Sequence, residues 1–485
     1  MQTEKFHKNL TIIISLAALL LFFWGIWAVP ILSHNEARRM VVIQEMLRSQ
    51  EWLIPTLNGQ TYLAKPPLLY WIGASLATLL GSMSEWVFRL PSGLMALAVV
   101  ALTHNRVRRY AGQGPALWAS AILISSEAFI NHGRSAEIGM LLTLWCSLAM
   151  FLFLDYLKSG SRTCLALAYA SLGLAFLSKG PVALVFFIPP MLVFGMLKDR
   201  KTFRGLISLP GWLLLAVIGL SWFGLVMAEL GPDAFGQVVS KDISGKMAGA
   251  TKSSPLYSYP LFLLGAFAPW FLALCFRSRD QFNKLVSSSE GSFFLIWALT
   301  PVLIMSLVGE KHGKYILPMF PALAAFLGLW CDGLFQALKK RYPSKAATTA
   351  LVLVSLLLSG HFLYYLVVEP KLSNHRYTAL APMAAKIQEV GPDLPIYALN
   401  DKYIQLTYYL ERPMPEKKLI EVDAMLARGE KFLLVAIHKS WQALDDRGLQ
   451  VVEEYEPFLK RDWQARIYTS KNLHPENRQP STVNR

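Results

Sequence analysis

Apolar runs of about 18 residues or more recur along the chain, Leu10 to Leu32 and Ala350 to Val368 among them, which is the length needed to cross ~30 Å of hydrocarbon. Such runs are membrane spans rather than core helices. Composition agrees, with 54% of the residues apolar and 16% charged, too apolar for a soluble domain of 485 residues. Met1 to Asn9 carries Lys5 and Lys8 and leads into a stretch longer than a signal-peptide core, with no small-residue cleavage site before Pro30. It reads as an uncleaved first span.

The pattern predicts an α-helical multi-pass membrane bundle of about 11 spans, starting near residues 10, 89, 114, 139, 163, 181, 206, 257, 292, 315 and 348. With the N-terminus cytoplasmic, 18 Lys and Arg fall in cytoplasmic segments and 12 in the longer outer loops, as the positive-inside rule requires. An odd number of spans then puts the C-terminus outside. The spans and their loops make up 1–368, with a long first external loop, 33–88, holding amphipathic or short apolar pieces at Ala37–Leu47 and Leu68–Leu80 that suit the membrane surface. After Val368 the composition becomes that of a soluble protein. Strand-like runs at Leu394–Leu399 and Lys431–Ile437 alternate with helix-like Ala381–Val390 and Ile420–Arg428, which predicts a small external α/β domain over 369–471. The polar tail 472–485 reads as disordered.

Several function classes drop out. The four cysteines, Cys146, Cys164, Cys275 and Cys331, lie in or beside apolar runs without paired spacing, so they read as packing residues. The formal charge of +15 is spread between spans, which fits orientation signals and anionic lipid better than nucleic acid. There is no phosphate-binding Gly-rich loop and no nucleophile elbow, which argues against a nucleotide-linked donor. His34, His132 and His312 lack the helical pairing of a metal motif, so a metal cofactor is left open.

The outer-face basic residues carry most of the chemical information, because orientation signals would place them on the other side. Lys65 stands in Tyr62-Leu-Ala-Lys-Pro-Pro67, Arg134 in Asn131-His-Gly-Arg134, Lys179 in Leu177-Ser-Lys-Gly-Pro181, and Lys311 and Lys314 in Glu310-Lys-His-Gly-Lys-Tyr315. For a single lysine, snorkelling to headgroups accounts for such a position. Five cations at one membrane level suit a lipid phosphate better, and the glycines beside Lys179 and Lys314 allow backbone N–H groups to approach it too. Tyr62 and Arg38 complete the candidate binding set. Glu36, in Ser33-His-Asn-Glu-Ala-Arg-Arg39, is placed to serve as a general base on an acceptor hydroxyl, or to pair with Arg38 or Arg39 on a surface helix.

His34-Asn-Glu-Ala-Arg38, Glu45-Met-Leu47, Trp52-Leu-Ile-Pro-Thr-Leu-Asn-Gly59, Lys65-Pro-Pro-Leu-Leu-Tyr-Trp71, Phe88-Arg-Leu-Pro91, Phe176-Leu-Ser-Lys-Gly-Pro181 and Lys314-Tyr-Ile-Leu-Pro318 follow one another in a recognisable order. Over roughly residues 10–335 the chain resembles the bacterial relatives of protein O-mannosyltransferases, especially the aminoarabinose transferases that modify lipid A. The resemblance implies a GT-C fold, a polyprenyl-phosphate-linked sugar donor, inversion at the anomeric carbon, and a bacterial inner-membrane location with a periplasmic C-terminal domain. It also implies that Lys65 and Lys179 hold the carrier phosphate, with Lys311 and Lys314 as further candidates.

The acidic positions depart from that family. Asn35 stands where the loop usually opens with Asp, Ala64 replaces the acid before Lys-Pro, and Gly139 the Asp near the fourth span, with Glu137 two residues earlier. An amide cannot accept the proton of a hydroxyl, so Glu36, Glu137 or another group must act as base. Any divalent metal held by those acids is put in doubt as well. The sequence thus leaves two readings: a transferase acting on an envelope glycolipid, glycan or protein, or a non-catalytic relative that binds polyprenyl phosphate or partners an enzyme. A transporter is disfavoured, because no inverted repeat and no mid-span charge pair is evident.

Overall fold

The computed structural model describes residues 2–31, 33–233, 236, 254–276, 278–309, 311–377, 379–456 and 463–470. The expected tail at 472–485, with Lys241, Lys246, Lys252, Arg277 and Glu310, lies outside them. Two compact units emerge, one of residues 1–27, 49–55 and 62–368, the other of 28–48, 56–61 and 369–485.

The first unit is helical. In chain order it contains α1 (Gln2–Phe23), α3 (Leu68–Leu80), α4 (Glu85–Ala111), α5 (Gln113–Ile124), α6 (Glu127–Arg134), α7 (Ile138–Ser159), α8 (Arg162–Lys179), α9 (Leu209–Leu230), α10 (Ser289–Ser306), α11 (Phe320–Arg341) and α12 (Ala346–Leu363). The label α2 belongs to His34–Ser49, nearly all of which lies in the second unit. Among the described residues seven helices are long and apolar enough to cross a membrane, and eight spans result if Ser258–Ala266 and Trp270–Phe276, bent by 92°, count as one. The other three of the expected starts, near 114, 163 and 181, fall on shorter apolar segments. Gln113–Ile124 and Val182–Leu197 are under 18 residues, while α8 has 18 but begins at Arg162 and ends at Lys179, which shortens its apolar stretch.

Burial separates inner from outer helices. In α7 and in Gly313–Arg341, 83% of the most apolar window is buried, against 28% for α9 and 17% for Ala346–Ser373. The outer helices instead expose Leu213, Val217 and Leu225 of α9 and Leu353, Leu356 and Leu363 of α12, a surface suited to acyl chains rather than water. Aromatic edge contacts tie the centre together, with Phe151 meeting Trp297 at 5.2 Å and Phe194 meeting Phe293 at 5.3 Å. Backbones approach closely where α5 crosses α11: a Cβ on Gly328 would sit 2.7 Å from the Pro115 carbonyl oxygen, so only glycine fits there.

The second unit is built on a five-stranded sheet. In chain order, after the hairpin β1 (Thr56–Leu57) and β2 (Gln60–Thr61), come β3 (Ile396–Leu399), β4 (Glu416–Lys417), β5 (Leu433–Ile437), β6 (Gln450–Tyr455) and β7 (Ala465–Thr469). The sheet order is β4-β3-β5-β7-β6, with β3 parallel to β4 and β5, and β7 antiparallel to β5 and β6. Period-two alternation sends Ile396, Ala398, Leu433, Val435 and Ile467 to one face, packed on Leu380–Val390 and Ile404–Leu410. Leu399, Leu434, Ala436 and Tyr468 face the other side, against Leu419–Ala427 and Trp441–Asp445.

Helix α2 and the hairpin are joined to this α/β layer by specific bonds. Asn58 Nδ2 donates to the Met414 carbonyl at 2.7 Å, and the Met414 N–H donates back to Asn58 Oδ1 at 2.5 Å. Arg48 pairs with Glu411 at 2.7 Å. Glu45 on α2 in turn accepts from Thr56 Oγ1 at 2.5 Å and from the Asn58 N–H at 2.7 Å, which fixes the hairpin.

Candidate active site

Three segments of the helical unit bring charge together: the corner between α6 and α7, the end of α8, and the 3-10 turn Gly313–Met319 that leads into α11. Glu137 occupies the N-cap of α7 in extended backbone, but its carboxylate does not cap its own helix. It turns instead to Lys314, with Nζ 3.6 Å from Oε2, and to His132, whose Nδ1 lies 3.9 Å from the same oxygen. Lys179 is the last residue of α8, where a cation complements the exposed carbonyls of a helix C-terminus. Gly180 follows it at φ 76°, a left-handed value that a side chain would strain. The Lys179 ammonium lies 5.1 Å from the centre of the Tyr315 ring, so Tyr315 joins Lys179 to the turn that carries Lys314.

The remaining candidates are placed as follows. Lys65 is buried just before Pro66-Pro67 at the head of α3, and its ammonium donates to the Ala64 carbonyl at 2.9 Å. Tyr62 is half-buried in the same strand-to-helix connection. The Lys311 ammonium is directed at backbone, donating to the Ser254 carbonyl at 2.8 Å and the Val308 carbonyl at 2.9 Å. Arg134 is buried, donates to the Leu21 and Trp24 carbonyls at 2.7 and 2.8 Å, and stacks over Tyr365 at 4.9 Å. It thereby satisfies carbonyls at the C-terminal end of α1. Asn35, Glu36 and Arg38 belong to α2 in the other unit. There Ser33 caps the helix by accepting the Glu36 N–H at 3.0 Å, Glu36 is buried, and Asn35 and Arg38 are half-buried. Burial, then the nearby Arg38 charge, holds His34 below the ordinary imidazole range.

Tyr315 and His132 stand in motifs the sequence singles out, yet only their proximity to Lys179 and Glu137 gives them a place in the site. The signal available in sequence was that each neighbours a candidate group, Lys314 or the Arg134 corner. Gly139 is informative too. A Cβ there would start 4.0 Å from His132 Nδ1, so a longer side chain at 139 and the Glu137 carboxylate approach the same ring. Among the described residues no group of three or more His, Cys, Asp or Glu is arranged to hold a metal ion.

The helical unit thus gathers lysines and a carboxylate near the ends of its membrane-spanning helices, and a second unit is built on a mixed sheet. Residues 64–226 match the family model described as dolichyl-phosphate-mannose-protein mannosyltransferase. A protein of Aquifex aeolicus is 28% identical over 357 residues, 73% of this chain and 79% of that one. The undecaprenyl phosphate-alpha-4-amino-4-deoxy-L-arabinose arabinosyl transferase of Pectobacterium atrosepticum is 26% identical over 350 residues, 70% of this chain and 62% of its own length. In fold, the chain is similar to ArnT from Cupriavidus metallidurans bound to undecaprenyl phosphate, with a TM-score of 0.80 at 18% identity, covering 96% of this chain and 99% of that one. Together these matches support a GT-C glycosyltransferase of the protein O-mannosyltransferase and ArnT family.

Proposed function

We propose that this protein is a bacterial inner-membrane glycosyltransferase that takes a sugar from a polyprenyl-phosphate carrier and delivers it to an envelope lipid, glycan or protein on the periplasmic face. The observation that carries the reading is the convergence of Lys179, Lys314 and Glu137, with Tyr315 beside them. As the bond from the anomeric carbon to the carrier oxygen breaks, the phosphate gains negative charge. Ammonium groups already in place stabilise that state more than the starting one. Lys65 and Lys179 are the proposed phosphate ligands, with Lys314 held in reserve by its pair with Glu137. Attack by an acceptor hydroxyl on the face opposite the leaving phosphate inverts the anomeric centre, and the proton goes to a carboxylate, Glu137 or Glu36. The similarity to arabinosyl transferases supports an active enzyme over a non-catalytic carrier-binding relative.

Lipid extraction from cells with and without the gene, followed by mass spectrometry, tests this directly: loss of the gene should make one polyprenyl-phosphate sugar accumulate and one envelope product disappear. Replacing Lys65 or Lys179 by Met retains the side-chain stem and should weaken polyprenyl-phosphate binding by about 1.5–3 kcal/mol. Unchanged lipid profiles together with unchanged binding by both variants would overturn the proposal.

A further inference from the structure

At the end of α11 opposite Lys314, the helical unit contains a cavity of about 530 Å³. That end is about 33 Å from the start of the helix, from 22 residues at 1.5 Å each, so the mouth of the cavity sits about a membrane's thickness from the start of α11, and its walls reach back to Cys331, about halfway along the helix. Trp118, Trp270, Phe335, Ala350 and Leu357 are among its walls, and its polar edge is formed by Tyr342 and Lys345. Measured along the chain from Lys345 to Leu357 at the helical rise, the slot is about 18 Å deep. That is close to the hydrocarbon depth of one leaflet, about half of ~30 Å. Its polarity runs in one direction only, apolar inside and cationic at the mouth, as in the lipid of a single leaflet.

The charge at the mouth selects among lipids. Lys340, Arg341 and Lys345 are exposed, and among the described residues no carboxylate pairs with any of them. Arg341 lies over the Tyr342 ring at 5.4 Å, which keeps its charge beside the opening. Helix α12 begins directly after Lys345 without a side-chain cap, so its first N–H groups add positive potential at the same place. We propose that this cavity binds one anionic diacyl phospholipid of the surrounding membrane, with an acyl chain in the slot and the phosphate against Lys345. This site is separate from the transfer chemistry and stands whether or not that reading holds.

The test uses the full chain in nanodiscs of equal parts phosphatidylglycerol and phosphatidylethanolamine, exchanged into detergent and weighed intact by native mass spectrometry. The wild type should retain a single phosphatidylglycerol in preference to phosphatidylethanolamine. Ala350→Trp, which fills the slot, and Lys345→Glu, which reverses charge at an exposed position, should each lower retention about fivefold or more. If Ala350→Trp does not fold, Lys345→Glu decides the matter by itself. Added undecaprenyl phosphate should leave the bound lipid in place. Equal retention by wild type and Lys345→Glu, no preference for the anionic lipid, or displacement by undecaprenyl phosphate would each overturn the assignment.

Discussion

Glu137 brings a carboxylate to Lys314 and His132 from a position outside the acidic pattern that the family resemblance implies. Position 139, where the family resemblance implies an acid, is glycine, and a Cβ there would lie 4.0 Å from the imidazole that Glu137 approaches from two residues earlier. A carboxylate on a longer stem, starting at the helix N-cap, thus comes close to the same ring. If Glu137 accepts the acceptor's proton, Glu137→Gln should lower turnover by about 10²- to 10⁴-fold while polyprenyl-phosphate binding changes little. Glu36→Gln, measured in parallel, decides between the two carboxylates: a silent Glu137→Gln beside an impaired Glu36→Gln would transfer the role to α2. His34 gives a prediction in pH. Burial and the Arg38 charge depress its folded-state pKa below the ordinary 6.5, so the unfolded chain binds the proton more readily. Its contribution to stability is therefore complete above pH 6.5 and declines as the pH falls below it. The fall in melting temperature on acidification from pH 7.5 to 5.5 should be smaller in His34→Gln than in the wild type.

At the scale of elements, the hairpin and α2 act as one piece because Glu45 on the helix accepts bonds from Thr56 and Asn58. Glu45→Ala removes a charged acceptor and leaves these donors to water, at a cost of about 1–3 kcal/mol. Limited proteolysis should then cut between residues 56 and 61 faster than in the wild type, whereas Glu45→Gln should fall between the two. The apolar helices divide by a similar logic. α12 was legible as a span because its apolar run is unbroken, while the segment 258–276 has the composition of one span and a 92° bend. Hydropathy sums over a window and is blind to the direction of the chain. Strand β6, at the edge of the sheet, escaped the reading because it is largely exposed, with a mixed polar pattern, and so lacks a buried apolar run.

For the whole molecule, the excess of basic residues in one set of loops predicts the orientation. A reporter fused after Val368 should be active in the periplasm, and cytoplasmic activity would reverse the topology. The amino-acid sequence by itself determined that the chain is a multi-pass helical membrane protein, because a run of apolar residues states its environment without reference to any other segment. It also supplied the cations, since lysines that break the charge rule are visible one at a time. Only the tertiary structure decided which of them meet. Arg134 and Lys311 were spent on backbone carbonyls, while Lys314 was turned to Glu137 and Lys179 to Tyr315. Likewise Asn58 and Met414 are 356 residues apart, and their paired bonds draw part of the first loop into the unit that follows Val368. Contacts at such separations depend on how helices and strands pack in three dimensions, and that information is distributed over the whole chain rather than written at any one position in it.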